Sequence, residues 1–208
     1  MTTKSLLALA LTGAGMSLAL AQTSQNIVGY VNVTCPVGLS MIANQLDNGK
    51  GNTVADLIKG VPDGTTLYKF AGGKFTLNTY VDPAWDIPTM TLAPGEGAFV
   101  ANVDTKAFTI TFVGDVKLGA SSVALPKGLS IISSVIPQDI AAKDINGLGF
   151  GATDGDTIYT FAAGKFALNT YVDPAWDAPA AVIAVGTSFF FQNAGDAAKT
   201  WNRTFTVN

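Results

Sequence analysis

The chain has 208 residues, a formal net charge of −3, no histidine and one cysteine. Those numbers exclude an electrostatic nucleic-acid surface, any histidine-based triad, base or metal ligand, and an intramolecular disulfide. Charged residues make up 13% of the chain against roughly 25% in ordinary soluble domains, so much of the surface is Ser, Thr, Asn, Gly and apolar. Such a surface costs little to desolvate against another chain.

Residues 1–21 read as a secretory signal. Lys4 is the positive n-region, 6–20 the apolar h-region, and Ala19-Leu20-Ala21 the small-x-small site that predicts cleavage before Gln22. The apolar run is shorter than the roughly 20 residues that cross a bilayer and contains Thr12, Gly13 and Gly15. The expectation is a secreted protein, extracellular or on the cell surface, with no membrane association after cleavage.

Residues 22–34 form an N-terminal strand, and the rest divides into two copies of one module, 35–118 and 119–208. The repeat is plainest where GKFTLNTYVDPAWDIP (73–88) recurs as GKFALNTYVDPAWDAP (164–179), 14 of 16 positions being identical at a spacing of 91. The match extends from Pro36-Val37-Gly38-Leu39-Ser40 and Pro126-Lys127-Gly128-Leu129-Ser130 to Gly95, Phe99, Asn102 and Gly186, Phe190, Asn193. Further on, Phe108 and Phe112 align with Trp201 and Phe205 after a two-residue slip. Cys35 aligns with Leu125 and is expected to be a small buried hydrophobe.

Within a module the elements are mostly strands. Turn Val61-Pro62-Asp63-Gly64 precedes strands at 66–70 and 74–81, which flank the hairpin signal Ala71-Gly72-Gly73. Residues 97–102 form a short strand, and 106–113 alternates Phe108, Ile110 and Phe112 with polar or small residues at period 2. One short helix per module is predicted, at 54–59 after Asn52 or Thr53 and at 138–146 before Gly147. The fold expected is all-β with minor α content: a tandem duplication of a small β-sandwich or barrel-like module.

The string Pro-x-Gly-Leu-Ser, Asp-Gly-x-x-x-Tyr, Asp-Pro-Ala-Trp-Asp, Pro-Gly-x-Gly-x-Phe resembles a family of β-module repeats in bacterial secreted and surface proteins. Its motif positions here are Gly38, Tyr68, Trp85, Gly95, Gly97 and Phe99. The second copy departs from it with Val185 for Pro94 and Ser188 for Gly97. The resemblance implies export and an all-β fold, and implies no activity.

No Gly-x-Ser-x-Gly, no Ser-x-x-Lys in the mature chain and no P-loop occurs, and the single glutamate, Glu96, is replaced by Thr187 in the second copy. The expectation is therefore a protein that is not an enzyme and needs no cofactor. Asp82, Asp86, Asp173 and Asp177 flank the Pro-Ala-Trp tripeptides. Paired carboxylates could serve glycoside hydrolysis or, better, hold calcium, and the plainer expectation is that they bond turn amides. Tyr80, Trp85, Tyr171 and Trp176 form two candidate carbohydrate platforms, so cell-surface polysaccharide is one candidate partner.

The other partner is a second copy. The segment 28–33 resembles 113–118, and the chain stops at Phe205-Thr206-Val207-Asn208, where a third such segment would begin. If the segment ends a module, Ile27, Val28, Tyr30, Val31 and Val33 form a free donor strand, and Phe205 and Val207 border an open acceptor edge. Donation to the next subunit would then build a head-to-tail filament or surface layer. If the segment begins a module, the monomer is complete.

Overall fold

The computed structural model describes residues 27–207; the signal-peptide reading of 1–21 lies outside them. Alternation of inward apolar and outward polar residues builds each half as two layers. In the first half the strands are β1 (Val28–Cys35), β2 (Gly38–Ile42), β3 (Thr66–Ala71), β4 (Lys74–Val81), β5 (Ala84–Trp85), β6 (Ala98–Asn102) and β7 (Phe108–Asp115), with the single-turn helix α1 (Val54–Leu57). One layer is an antiparallel sheet of order β2-β6-β3-β4-β5, and the other is the ribbon β1-β7. Val31, Val33 and Cys35 of β1 and Ile110 and Phe112 of β7 point inward onto Ile42, Leu67, Val100 and Trp85, forming a dry core. The fold is all-β and sandwich-like.

The second half repeats the plan with β8 (Gly119–Leu125), β9 (Gly128–Ile132), β10 (Ile140–Ala141), α2 (Ala142–Ile145), β11 (Thr157–Ala162), β12 (Lys165–Val172), β13 (Ala175–Trp176), β14 (Val182–Ile183), β15 (Phe189–Asn193) and β16 (Lys199–Phe205). Its sheet order is β9-β15-β11-β12-β13, faced by the ribbon β8-β16. Turn chemistry is the expected kind in the β3–β4 hairpin, where Gly72 and Gly73 both take positive φ and match the strands' twist. In the β11–β12 hairpin Ala163 is held at φ 50° instead.

Several sequence expectations need correction. The N-terminal strand is not separate from the first module: β1 runs to Cys35 and pairs with β7 along its whole length, Val28 opposite Asp115 and Cys35 opposite Phe108. Its counterpart is β8, not 113–118, because β8 pairs with β16 in the same way, Leu125 opposite Lys199 and Gly119 opposite Phe205. The two-residue slip disappears with it. Cys35 and Leu125 are equivalent, so Phe108 matches Lys199, Ile110 matches Trp201, and Phe112 matches Arg203.

The second helix is shorter than 138–146, because Ile140 and Ala141 are extended and pair with Ile183 and Val182. The first stops at Leu57, since Ile58 is already extended; its cap is Thr53, whose hydroxyl accepts from Asp56 N at 3.3 Å.

Arg203 in the place of Phe112 is the largest chemical difference between the copies. It is almost fully buried, stacks over Trp201 at 5.8 Å, and donates to Ser134 Oγ at 2.7 Å and Gln138 Oε1 at 3.1 Å. Burial pushes its guanidinium pKa down, and the three contacts compensate the desolvation.

Cys35 is fully buried, and burial pushes its thiol up to about 11. The thiolate is the reactive form. Iodoacetamide is therefore expected to leave the native chain unlabelled at mildly alkaline pH and to label one thiol in guanidinium. Stoichiometric labelling of the folded chain would contradict this placement.

The two halves interlock about an approximate two-fold axis. Ala43 N donates to Gly186 O at 2.8 Å, and the equivalent Ser133 N donates to Gly95 O at 3.0 Å. Gln45 adds a bond from Gly186 N at 2.9 Å and donates to Ile136 O at 3.3 Å. A Cβ on Gly186 would sit 2.6 Å from Val33 Cγ2, and one on Gly95 would sit 3.0 Å from Val123 Cγ2, so each loop enters the other half's ribbon.

Gly97 and Ser188 are equivalent and touch: a Cβ on Gly97 would lie 2.3 Å from Ser188 Cβ. Two equivalent residues meeting near the axis leave room for one side chain, which accounts for the departure of Ser188 from the glycine pattern. Val185, in the place of Pro94, packs against the first half's core.

Candidate functional site

The duplicated Asp-Pro-Ala-Trp-Asp loops are built from the inside outward. Tyr80 and Trp85 face each other across β4 and β5, ring centroids 5.5 Å apart, and Trp85 Nε1 donates to Ile58 O at 2.9 Å. Asn78, fully buried, donates to Ile87 O at 2.8 Å and accepts from Ile87 N at 2.7 Å, closing the loop as a backbone strand would. Asn169 does the same with Ala178. These rings cannot serve as carbohydrate platforms: Trp85 is 5% and Trp176 4% exposed, with Tyr80 and Tyr171 also buried. A sugar stacks on a free aromatic face, and these faces are spent on the core.

Three of the four carboxylates, those of Asp82, Asp173 and Asp177, are likewise bonded within the loop. Asp82 Oδ1 accepts from Tyr80 OH at 3.0 Å, and Asp173 Oδ1 accepts from Tyr171 OH at 3.3 Å. The Tyr80 phenol is raised above its ordinary pKa first by that bond, the Tyr171 phenol first by burial. Asp82 N donates to Asp63 Oδ1 at 2.9 Å, Asp86 N to Thr79 O at 2.9 Å, and Thr170 N to Asp177 Oδ1 at 3.0 Å. Among the described residues no three Asp, Glu, Cys or His side chains converge as a metal ion requires. Asp82, Asp86, Asp173 and Asp177 thus form no such cluster; of the four, Asp177 bonds a loop amide, and Asp82 and Asp173 accept from the neighbouring tyrosine hydroxyls instead.

The donor and acceptor residues also fall differently from the sequence reading. Val31 and Val33 are buried in the first half's core, while Val28 and Tyr30 are exposed on the ribbon's outer face. Ile27 O accepts from Val116 N at 2.8 Å. Phe205 packs against the second half's core, where β8 covers the border, and Val207 lies beyond the last strand. The edge that was to receive a strand from a sibling is filled by the chain's own β8, and the strand that was to be donated is held by β7. Strand donation in the form expected, with 27–33 free and the β8 side of β16 open, is therefore not what the structure shows.

What sequence reading overlooked is the outward face of the two five-stranded sheets. Tyr80 points inward, so Leu77 and Val81 on β4, and Leu168 and Val172 on β12, must point outward. They are 53%, 57%, 58% and 59% exposed. All four lie within the near-identical repeat, and the outward pairs are identical in the two copies. Core positions have drifted instead: Leu67 against Ile158, Ala98 against Phe189, and Val100 against Phe191. The buried half of the block is accounted for by Asn78, Tyr80 and Trp85, and on the outward half Phe75 stacks on Phe70 and Thr79 bonds Thr66; Leu77 and Val81 are left exposed.

Where the two outward faces converge, Met41, Phe99, Ile131 and Phe190 form a third core. Phe99 contacts Phe161 at 5.3 Å, and Phe190 contacts Phe70 at 5.4 Å, a two-fold related pair. Beyond this core the sheets diverge and leave an apolar groove of about 740 Å³, floored by Phe99 and Phe190 and walled by Tyr68, Phe75, Tyr159 and Phe166. Comparison with protein-family models, curated proteins and solved structures finds no match for this chain.

Proposed function

We propose that the protein is a non-enzymatic structural subunit of an extracellular filament or surface layer, and that its copies join through the outward apolar strips of β4 and β12. The observation that carries this reading is the exposure of Leu77, Val81, Leu168 and Val172 in a pattern repeated letter for letter in both halves. Exposed apolar residues gathered on one sheet face mark contact surfaces, and the low charge of the chain reduces the cost of burying what surrounds them, Thr79 and Thr170 included. Two equivalent strips give each copy two equivalent valences. A contact from the first-half strip of one copy to the second-half strip of the next is heterologous and propagates unless it closes into a ring. The rigid interlock of the halves fixes the angle between the valences, as a regular array requires.

The test is sedimentation of the purified mature chain and of a Leu77→Lys, Leu168→Lys variant. The parent is expected to form large, concentration-dependent assemblies. Each lysine replaces roughly 1.5–3 kcal/mol of apolar burial per contact, so the variant is expected to sediment as a folded monomer. Assemblies that persist unchanged in the variant would remove the strips from the mechanism.

A further inference from the structure

We propose that the groove between the two sheets is a binding site for one slender, uncharged amphiphile: a hydrocarbon chain with a single neutral hydrogen-bonding end, such as a long-chain alcohol. The volume of about 740 Å³ lies within the range of small-molecule sites, about 300–1,000 Å³. The floor and walls are phenylalanine and tyrosine, and Leu39 and Leu129 complete the mouth, 46% and 40% exposed.

Charge selects the ligand. No residue lining the groove is charged, so a carboxylate or phosphate head drawn inside would lose its water and meet no cation, a cost of several kcal/mol. The polar side chains of the lining are Tyr68, Tyr159 and Gln192; the two tyrosines are equivalent, and the amide has no counterpart. Gln192 lines the groove, and its register partner Leu129 marks Ala101, opposite Leu39, as its equivalent in the first half. The approximate symmetry is thus broken by one amide, whose nitrogen reaches Asn193 O at 3.5 Å, the outer limit of a hydrogen bond. A ligand hydroxyl beside Gln192 would gain a partner there, while its chain runs over Phe99 and Phe190 towards the first half.

Shape argues against a second copy as the occupant. A copy brought up on the approximate axis presents its own groove, and concave against concave leaves a void. The net charge of −3 also disfavours an anionic membrane surface. The strips adjoin this site at Leu77 and Leu168, the register partners of Tyr68 and Tyr159, while Val81 and Val172 lie further along their strands and none of the four lines it.

The experiment titrates the full mature chain with the neutral fluorophore N-phenyl-1-naphthylamine, then displaces it with dodecan-1-ol. One saturable site per chain is expected, with dodecanoate at neutral pH competing at least about tenfold more weakly than the alcohol, as the desolvation cost implies. Leu39→Lys with Leu129→Lys, both at exposed positions, is expected to weaken the alcohol by about tenfold or more at unchanged melting temperature. Gln192→Ala should weaken it by roughly fivefold, the value of one hydrogen bond. If the double lysine variant fails to fold, Gln192→Glu places the charge instead, with the same loss expected.

Absence of saturable binding, retention of it in the charged variants, or equal competition by dodecanoate would overturn the proposal. So would partition of the chain to phosphatidylcholine vesicles without displacement by the alcohol, or a dimer that the lysine pair dissociates. A Val81→Lys, Val172→Lys variant, charged at the strip positions that pair with Ala84 and Ala175 away from the groove, is expected to lose assembly and bind the fluorophore normally, so loss of assembly and loss of the ligand site read out separately.

Discussion

Lys199→Phe alone is expected to destabilise the second half by about 3–5 kcal/mol, the cost of leaving a buried charge without its partner. Asp156 is fully buried. It forms an ion pair with Lys199 and accepts from Thr153 N and Ala194 N, each at 2.9 Å. Lys199 Nζ also donates to Thr153 Oγ1 at 2.6 Å. The first half manages the same place without charge: Thr65 stands for Asp156 and Phe108 for Lys199. Importing both, as Asp156→Thr with Lys199→Phe, should recover most of the loss, because an ion pair replaced as a unit leaves no buried charge unpaired. The Thr153 and Ala194 amides lose their acceptor, which sets the remainder at about 1–2 kcal/mol. Urea unfolding of the two variants checks this. Equal stability of single and double variants would mean that the charges are not coupled.

Gly186→Ala is expected to cost about 2–5 kcal/mol and to separate the unfolding of the two halves. Gly186 lies at φ 76°, and its Cβ would press on Val33 of the other half. The first effect is backbone strain of about 1–2 kcal/mol, the second overpacking of about 1–3 kcal/mol. Gly164 supplies the control. It lies at φ 74° in the β11–β12 hairpin, with nothing within 4 Å of a Cβ, so Gly164→Ala carries the strain alone. Calorimetry should show one transition for the parent and for Gly164→Ala, and two for Gly186→Ala. A single transition with equal loss in both variants would mean that the interlock carries no coupling.

Most of the architecture was legible because its signals are local. The period-2 run at 106–113 placed Ile110 and Phe112 inward, Ala71-Gly72-Gly73 marked a hairpin, and the 91-residue repeat marked two halves. Pairing across the chain was not legible. Val28-Gly29 resembles Val113-Gly114 in letters, yet the two segments are antiparallel partners in one ribbon, Gly29 opposite Gly114 and Tyr30 opposite Val113, so likeness in sequence does not mark equivalence here. The shift of two residues at the C-terminus has the same origin. Trp201 was aligned to Phe108 by aromatic character, whereas the ribbon register aligns it to Ile110.

The site was misread for a related reason. Tyr80 and Trp85 carry the chemistry that catches the eye, yet two large rings on neighbouring strands are the ones a small sandwich buries. Once Tyr80 is inward, alternation turns Leu77 and Val81 outward, and this was readable from the same eight letters of β4. Convergence of Phe99 and Phe190 near the axis was not readable, since it depends on how two sheets from different halves meet. Gly97 against Ser188 could have hinted at it, as a place where the two copies meet and only one carries a side chain.

Electron microscopy of the purified chain from Gln22 onward tests the assembly claim most directly. Regular filaments or sheets are expected, disappearing in the Leu77→Lys, Leu168→Lys variant while its circular dichroism stays unchanged. A monodisperse monomer for the parent chain at every concentration would contradict the account.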